Sequence, residues 1–183
     1  MLKAIICVCI LSFVNVTAQE QNEQEAYHQI GVSGSTISGY GISYHYIFSD
    51  NYRMKFTGFY LFEGASRTEY DYDATRVSFG VEGQKTISKT NITRLYGFLG
   101  AGYNLKRGES RYKYFEHFDY ADYSGGAGLG IELLAASHIV FGLNLGLVYS
   151  FEGRKFISNA VGNSYRSNVS LGFGGGLNLG FQF

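Results

Sequence analysis

From residue 27 onward the chain alternates between apolar and small or polar positions. Between Asn168 and Phe183 (N-V-S-L-G-F-G-G-G-L-N-L-G-F-Q-F) one set of alternate positions holds Val169, Leu171, Phe173, Gly175, Leu177, Leu179, Phe181 and Phe183. The other set holds Ser170, Gly172, Gly174, Gly176, Asn178, Gly180 and Gln182. Successive side chains of a strand point to opposite faces, so this pattern predicts a strand with one apolar face and one small, polar face. The same period recurs in eight segments, near 27–35, 39–48, 52–63, 75–88, 91–106, 120–134, 138–151 and 166–183. Segment seven is the most regular, with Ile139, Phe141, Leu143, Leu145, Leu147, Tyr149 and Phe151 on one face. Segment one is the weakest, with Ile30 and Val32 only. No helical period competes. After the first 18 residues no stretch has the run of about 20 apolar residues that a membrane-crossing helix requires.

The connections between segments also alternate. Ser49–Asn51, Ser88–Asn91 and Ala135–Ser137 are short, whereas 64–74, 107–119 and 152–164 are long and polar or charged. Only the first connection of the long set, Thr36–Ser38, is short. Short turns on one rim and long loops on the other are the pattern of bacterial outer-membrane barrels. An even strand count puts both ends of the barrel on the short-turn, periplasmic rim. Tyr and Phe fall near both ends of the apolar face and aliphatic residues between them, as bilayer interfaces select. A soluble sandwich would need polar residues on its outer face. A water-soluble barrel with an apolar interior would cover its outside with Gly126, Gly128, Gly130, Gly172, Gly174 and Gly176. The expected fold is therefore all-β: an eight-stranded antiparallel up-and-down transmembrane β-barrel over residues 27–183.

Composition narrows the picture. The chain has 25 Gly, 16 Tyr and 15 Phe, no Pro or Trp, and a net charge of zero. Such a balance lacks the basic patch that nucleic-acid binding needs. Residues 1–18 read as a signal peptide, with Lys3 ahead of an apolar run from Ala4 to Val14 and small residues up to Ala18. Both cysteines, Cys7 and Cys9, fall inside it. The mature chain then has no disulfide, no thiolate metal site and no cysteine nucleophile. Residues 19–26 are expected to be a mobile periplasmic N-terminal segment. The predicted location is the bacterial outer membrane.

An eight-stranded barrel is just wide enough for its lumen to be filled by side chains, so the inward positions are the candidate chemistry. Segments six to eight contribute mostly Gly, with Glu132 and Asn144, while segments two to five contribute His45, Arg53, Lys55, Phe59, Arg76, Glu82, Arg94, Tyr96 and Phe98. Folding each pair of segments about its connection puts Lys55 opposite His45, Glu82 near Lys55, and Arg94 opposite Glu132. Five of these residues, His45, Lys55, Glu82, Arg94 and Glu132, are expected to form a charged belt that plugs the lumen, because buried charges persist only when paired. In that belt Arg94 would serve both carboxylates.

Other chemistry is sparse. His28, His45, His117 and His138 have no metal-ligand spacing, and neither a metal nor a cofactor is expected. His117 has Glu116, Asp119 and Ser110 nearby, but co-occurrence is not the convergent geometry a triad needs. The run Gly125-Gly126-Ala127-Gly128-Leu129-Gly130 lies within a strand and opens no helix, so it does not read as a phosphate cradle.

The signal segment, the eight alternating segments, the two kinds of rim and the terminal G-L-N-L-G-F-Q-F together resemble the small OmpA/OmpX-like outer-membrane barrels. The opening G-V-S-G-S-T-I-S-G-Y-G-I-S-Y is similar to porin-family barrels of Bacteroidetes. The resemblance implies that the terminal aromatic Phe183 is an assembly signal, read by the barrel-assembly machinery through an exposed last strand. Outer-membrane lipid is the expected surrounding, and the Tyr, Arg, Asp and Glu content of the loops 64–74, 107–119 and 152–164 suits an extracellular partner. No peptidoglycan-binding domain is expected after the barrel, so that anchoring role is not implied. Three readings follow: a structural or surface-interaction barrel with a plugged lumen, a narrow porin-like transporter of small solutes, and a lipid-modifying enzyme at the outer rim.

Overall fold

The computed structural model describes residues 28–49, 51–67, 70–110, 116–135, 138–158 and 162–183. The signal segment 1–18 and the 19–26 segment lie outside the described residues. Eight strands follow in chain order: β1 His28–Ser35, β2 Gly39–Ser49, β3 Tyr52–Arg67, β4 Tyr70–Lys89, β5 Thr93–Ser110, β6 Glu116–Ala135, β7 Ile139–Ser158 and β8 Gly162–Gln182. Each pairs antiparallel with the next, and β8 pairs with β1, so the sheet closes into a barrel.

The register fixes the geometry. The paired residues run round the ring from Val32 through Ile42, Gly58, Phe79, Tyr103, Tyr123 and Phe151 to Val169. Val32 itself pairs with Leu179, so the ring closes with a stagger of ten residues along β8. That stagger over eight strands tilts them by about 40°, within the range of membrane barrels.

The alternating pattern sorts the side chains as its physics requires. Leu99, Leu145, Leu171, Phe173 and Leu177 are exposed on the outside, Phe173 at 92% of its full area. An exterior of this kind on every strand far exceeds the apolar patches a water-soluble monomer tolerates. It is the outer face of a barrel in lipid, and the polar and charged residues line the interior.

The described residues of the stretches 64–74, 107–119 and 152–164 do not form loops. They are mostly paired strand, with Gly64 opposite Asp73, Arg107 opposite Asp119 and Glu152 opposite Asn168. The hairpins project well past the apolar zone. With water on both faces, alternating polar residues satisfy a strand as well as amphipathic ones do, so the pattern that marks a half-buried strand vanishes there.

β1 and β2 are the exception. They have 8 and 11 residues, against 16 to 21 for the other six strands. Their connection, Thr36–Ser38, does not cap the rim but turns into the lumen, leaving Ile37 and Ser38 fully buried. Gly39, at φ 72°, supplies the left-handed conformation that brings the chain back.

Candidate functional site: the filled lumen

Two layers fill the lumen. The first is charged and lies toward the short-turn rim. His45, Lys55, Glu82, Arg94 and Glu132 are all buried there, each 4% exposed or less. His45 pairs with Lys55 across β2 and β3, Lys55 with Glu82 across β3 and β4, and Arg94 with Glu132 across β5 and β6. Contacts divide these residues into two groups. In one, Lys55 Nζ lies 2.7 Å from Glu82 Oε2, and the same carboxylate accepts hydrogen bonds from Ser38 Oγ at 2.8 Å and Gln84 Nε2 at 2.7 Å. In the other, Glu132 Oε2 lies 3.1 Å from Arg94 Nε and 3.3 Å from Arg53 Nη1. The Arg94 guanidinium also stacks 4.4 Å from the centre of the Tyr96 ring.

The expected continuous belt is corrected here. Arg94 does not bridge the two carboxylates. Glu82 pairs in register with Gly100, six residues from Arg94, because the β4–β5 ladder closes on Lys89 opposite Arg94 and not about the middle of 88–91. The groups are joined instead by Gln84, which donates to Glu82 and accepts from Arg94 Nη2. Arg53 shares Glu132 from across the lumen, from a strand that is not a neighbour of β6. His45 is buried in the same layer, and its ring nitrogens make no well-aligned hydrogen bond among the described residues.

The second layer is the inward turn. Ile37 packs on Tyr96 and Phe98, with Val148 against the same cluster. Ser35 Oγ accepts from the backbone N–H groups of Ile37 and Ser38, Ser124 Oγ donates to the Ile37 carbonyl at 2.9 Å, and Ser38 ties the turn down onto Glu82. Facing walls are glycine because the turn backbone comes too close for a side chain. A Cβ at Gly80 would collide with the Ser38 carbonyl, and one at Gly102 would stand 2.8 Å from the Ile37 carbonyl. The recurrence of Gly80, Gly100, Gly102 and Gly126 on neighbouring inward positions was the sequence signal for an inserted segment. Taken one strand at a time, those glycines look like ordinary small lumen residues.

At the short-turn rim the barrel seam is closed by its last residue. The Phe183 N–H donates to the His28 carbonyl at 3.0 Å, and the His28 N–H donates back at 3.3 Å. The Phe183 ring lies 6.0 Å from His28 and 6.5 Å from Phe181. Near the opposite rim, Tyr103, Tyr123 and Phe151 form a chain of ring contacts at 4.9 and 6.4 Å.

On the projecting β5–β6 hairpin, His117 Nε2 lies 3.3 Å from Asp119 Oδ2 and Nδ1 lies 3.5 Å from Glu109 Oε1. Both nitrogens lie near carboxylates, and the Glu116 and Ser110 side chains lie outside the described residues. Arg107 Nε lies 2.6 Å from Asp119 Oδ1. Burial by itself pushes the Asp119 carboxyl up, but hydrogen bonds from Arg107 and His117 outweigh it and hold the group below the ordinary carboxylate value.

No family model and no curated protein matches the chain. Solved structures similar in fold include the attachment invasion locus protein Ail of Yersinia pestis, at 19% identity and a TM-score of 0.43 over 88% of this chain and all of that one. CarO of Acinetobacter baumannii has 10% identity and a TM-score of 0.46 over 89% of this chain and all of its own. A major outer membrane protein of Thermus thermophilus has 10% identity and a TM-score of 0.47 over 87% of this chain and all of its own. The assignment as an eight-stranded outer-membrane-type barrel rests on the closed ladder and the apolar exterior described above.

Proposed function

We propose that this protein is a sealed barrel of the bacterial outer membrane whose role is structural or one of surface interaction, with its short-turn rim in the periplasm and its long hairpins outside. The observation that carries the reading is the double filling of the lumen. A solute crossing it would have to displace both the Ile37 turn and the charged layer below. Removing a partner from such a buried ion pair costs about 3–5 kcal/mol, far more than thermal energy. Planar-bilayer recording of the purified protein is the test. The expected record is silent; discrete channel openings would favour narrow solute transport and defeat the seal.

A lipid-modifying role at the outer rim has less support, because His117 is held between two carboxylates. Lipid A from cells with and without the protein should have the same mass. The projecting hairpins, which present strand edges and charged faces to the exterior, are the part suited to an extracellular partner.

Assembly is a separate matter. Phe183 is exposed and sits at the seam where β8 meets β1, a position from which the assembly machinery can read the last strand. Deleting Phe183 should lower the outer-membrane level of the protein while leaving the unfolding midpoint of the inserted fraction nearly unchanged. Normal levels of the deletion variant would remove Phe183 as the signal.

A further inference from the structure

The short first hairpin leaves a notch in the barrel wall. β2 pairs with β3 only as far as Ile42 opposite Gly58, and β1 pairs with β8 only as far as Ser35 opposite Gly176. Beyond these points β3 from Phe59 and β8 up to Gly175 have a partner strand on one side only. The Thr36 N–H donates to the Gly175 carbonyl and Gly175 N–H to Thr36 Oγ1, which seals the floor of the notch. At a tilt of about 40° that floor lies below the row of Tyr103, Tyr123 and Tyr149, so the notch opens at the headgroup level of the outer leaflet. An open sheet edge at that depth needs polar company.

Two cavities meet at the notch. On the lipid side an apolar groove of about 880 Å³ runs past Val32, Gly34, Tyr40, Ile42, Phe59 and Leu177. Above the turn, inside the projecting sheet, a polar cavity of about 350 Å³ is lined by Arg76, Asn104, Lys106, Asp122 and Arg154, and also by Tyr40. Tyr40 is the shared wall, and its ring packs 5.6 Å from that of Phe59. The polar cavity adjoins a smaller one lined by Glu152, Arg154, Arg166 and Asn168. Among these lining residues, the four cations Arg76, Lys106, Arg154 and Arg166 face the two anions Asp122 and Glu152, a local excess of positive charge in a chain whose net charge is zero. Arg154 is held in place by Glu152 at 2.8 Å and by the face of Tyr120. Guanidinium groups suit the geometry of phosphate.

We propose that the notch binds a phosphate-bearing lipid of the outer leaflet, with the phosphate in the basic cavity and an acyl chain leaving past Tyr40 along the apolar groove. The groove is within the 300–1,000 Å³ or so typical of small-ligand sites. The amphipathic arrangement, basic on one side of Tyr40 and apolar on the other, matches a lipid and not a free anion. The inference rests on the outer-membrane reading above.

The test uses the mature full-length protein refolded in detergent and native mass spectrometry of retained lipid. The probes are diphosphorylated lipid A, zwitterionic phosphatidylethanolamine and inorganic phosphate. Lipid A should be retained about tenfold more than phosphatidylethanolamine, and the R154Q/R166Q double variant should lose most of that preference. Gly34 faces open space, so Gly34→Leu fills the groove without a clash and should weaken retention of lipid A as well. The heat-dependent shift on a detergent gel checks that each variant folds. A folded barrel with no preference for lipid A, or one from which millimolar inorganic phosphate displaces lipid A fully, overturns the lipid site alone. A protein that is monomeric and soluble without detergent overturns the membrane reading and the lipid site together.

Discussion

The two halves of the barrel use the same strands for opposite ends. In the short-turn half all eight strands are paired, the outside meets lipid, and the lumen is packed with charges buried to a few per cent exposure. In the long-hairpin half six strands continue among the described residues, both faces meet water or headgroups, and the ion pairs are exposed, as with Arg107 and Asp119. The comparison shows that the value of a charge pair depends on where the barrel puts it. A buried pair that loses one member leaves an uncompensated charge in a medium of low dielectric, while an exposed pair is shielded by solvent.

The sharpest way to break the contrast is in the lower half. Lys55 is the cation on Glu82, which is fully buried, so Lys55→Ala should cost about 3–5 kcal/mol and lower the denaturant midpoint of the refolded barrel strongly. Arg94→Ala should cost less, because Arg53 still faces Glu132 and no second carboxylate is stranded. Equal losses for the two variants would mean that the two ion groups act as one belt after all.

The inward turn is the boundary between the halves, and Gly80 is its most exposed weakness. A Gly80→Val side chain must push the Ser38 backbone away, at about 1–3 kcal/mol for an overpacked site. The same change should raise amide exchange at Ile37 and Ser38 and is the variant in which a conductance would first appear. Ile37→Ala, which empties the Tyr96–Phe98 cluster without moving the turn, should destabilise by about 2–4 kcal/mol and stay electrically silent.

The smallest effects belong to the outer hairpins. Arg107→Ala should change the unfolding free energy by no more than about 1 kcal/mol. The folded Asp119 carboxyl titrates below its unfolded value, so its contribution is present above the ordinary carboxylate pKa and is lost as pH falls through the depressed one. The protection factors of the Arg107 and Asp119 amides should therefore hold down to about pH 4 and fall only below it. Protection that is already lost above about pH 5 would rule out Asp119 as the cause.

Much of this was legible in the residues. Strand number, the sidedness of each strand and the burial of His45, Lys55, Glu82, Arg94 and Glu132 follow from a period of two, which is a local property of the chain. The strands running through 64–74, 107–119 and 152–164 were not legible, because a sheet wet on both faces carries no amphipathic mark. Arg53 was visible as an inward residue, but its partner Glu132 lies across the lumen, and hairpin folding compares only neighbouring strands.

By itself, then, the amino-acid sequence determined that eight strands form and which face of each meets lipid, since both depend on residues two apart. Only the closed structure decided which inward charges meet, because the β4–β5 ladder closes on Lys89 opposite Arg94 and the ring places non-neighbouring strands face to face. It also decided that Thr36–Ser38 enters the lumen. Nothing in a three-residue turn specifies that; the glycines of β4, β5 and β6 make the room, and Ser124 and Glu82 supply the hydrogen-bond partners.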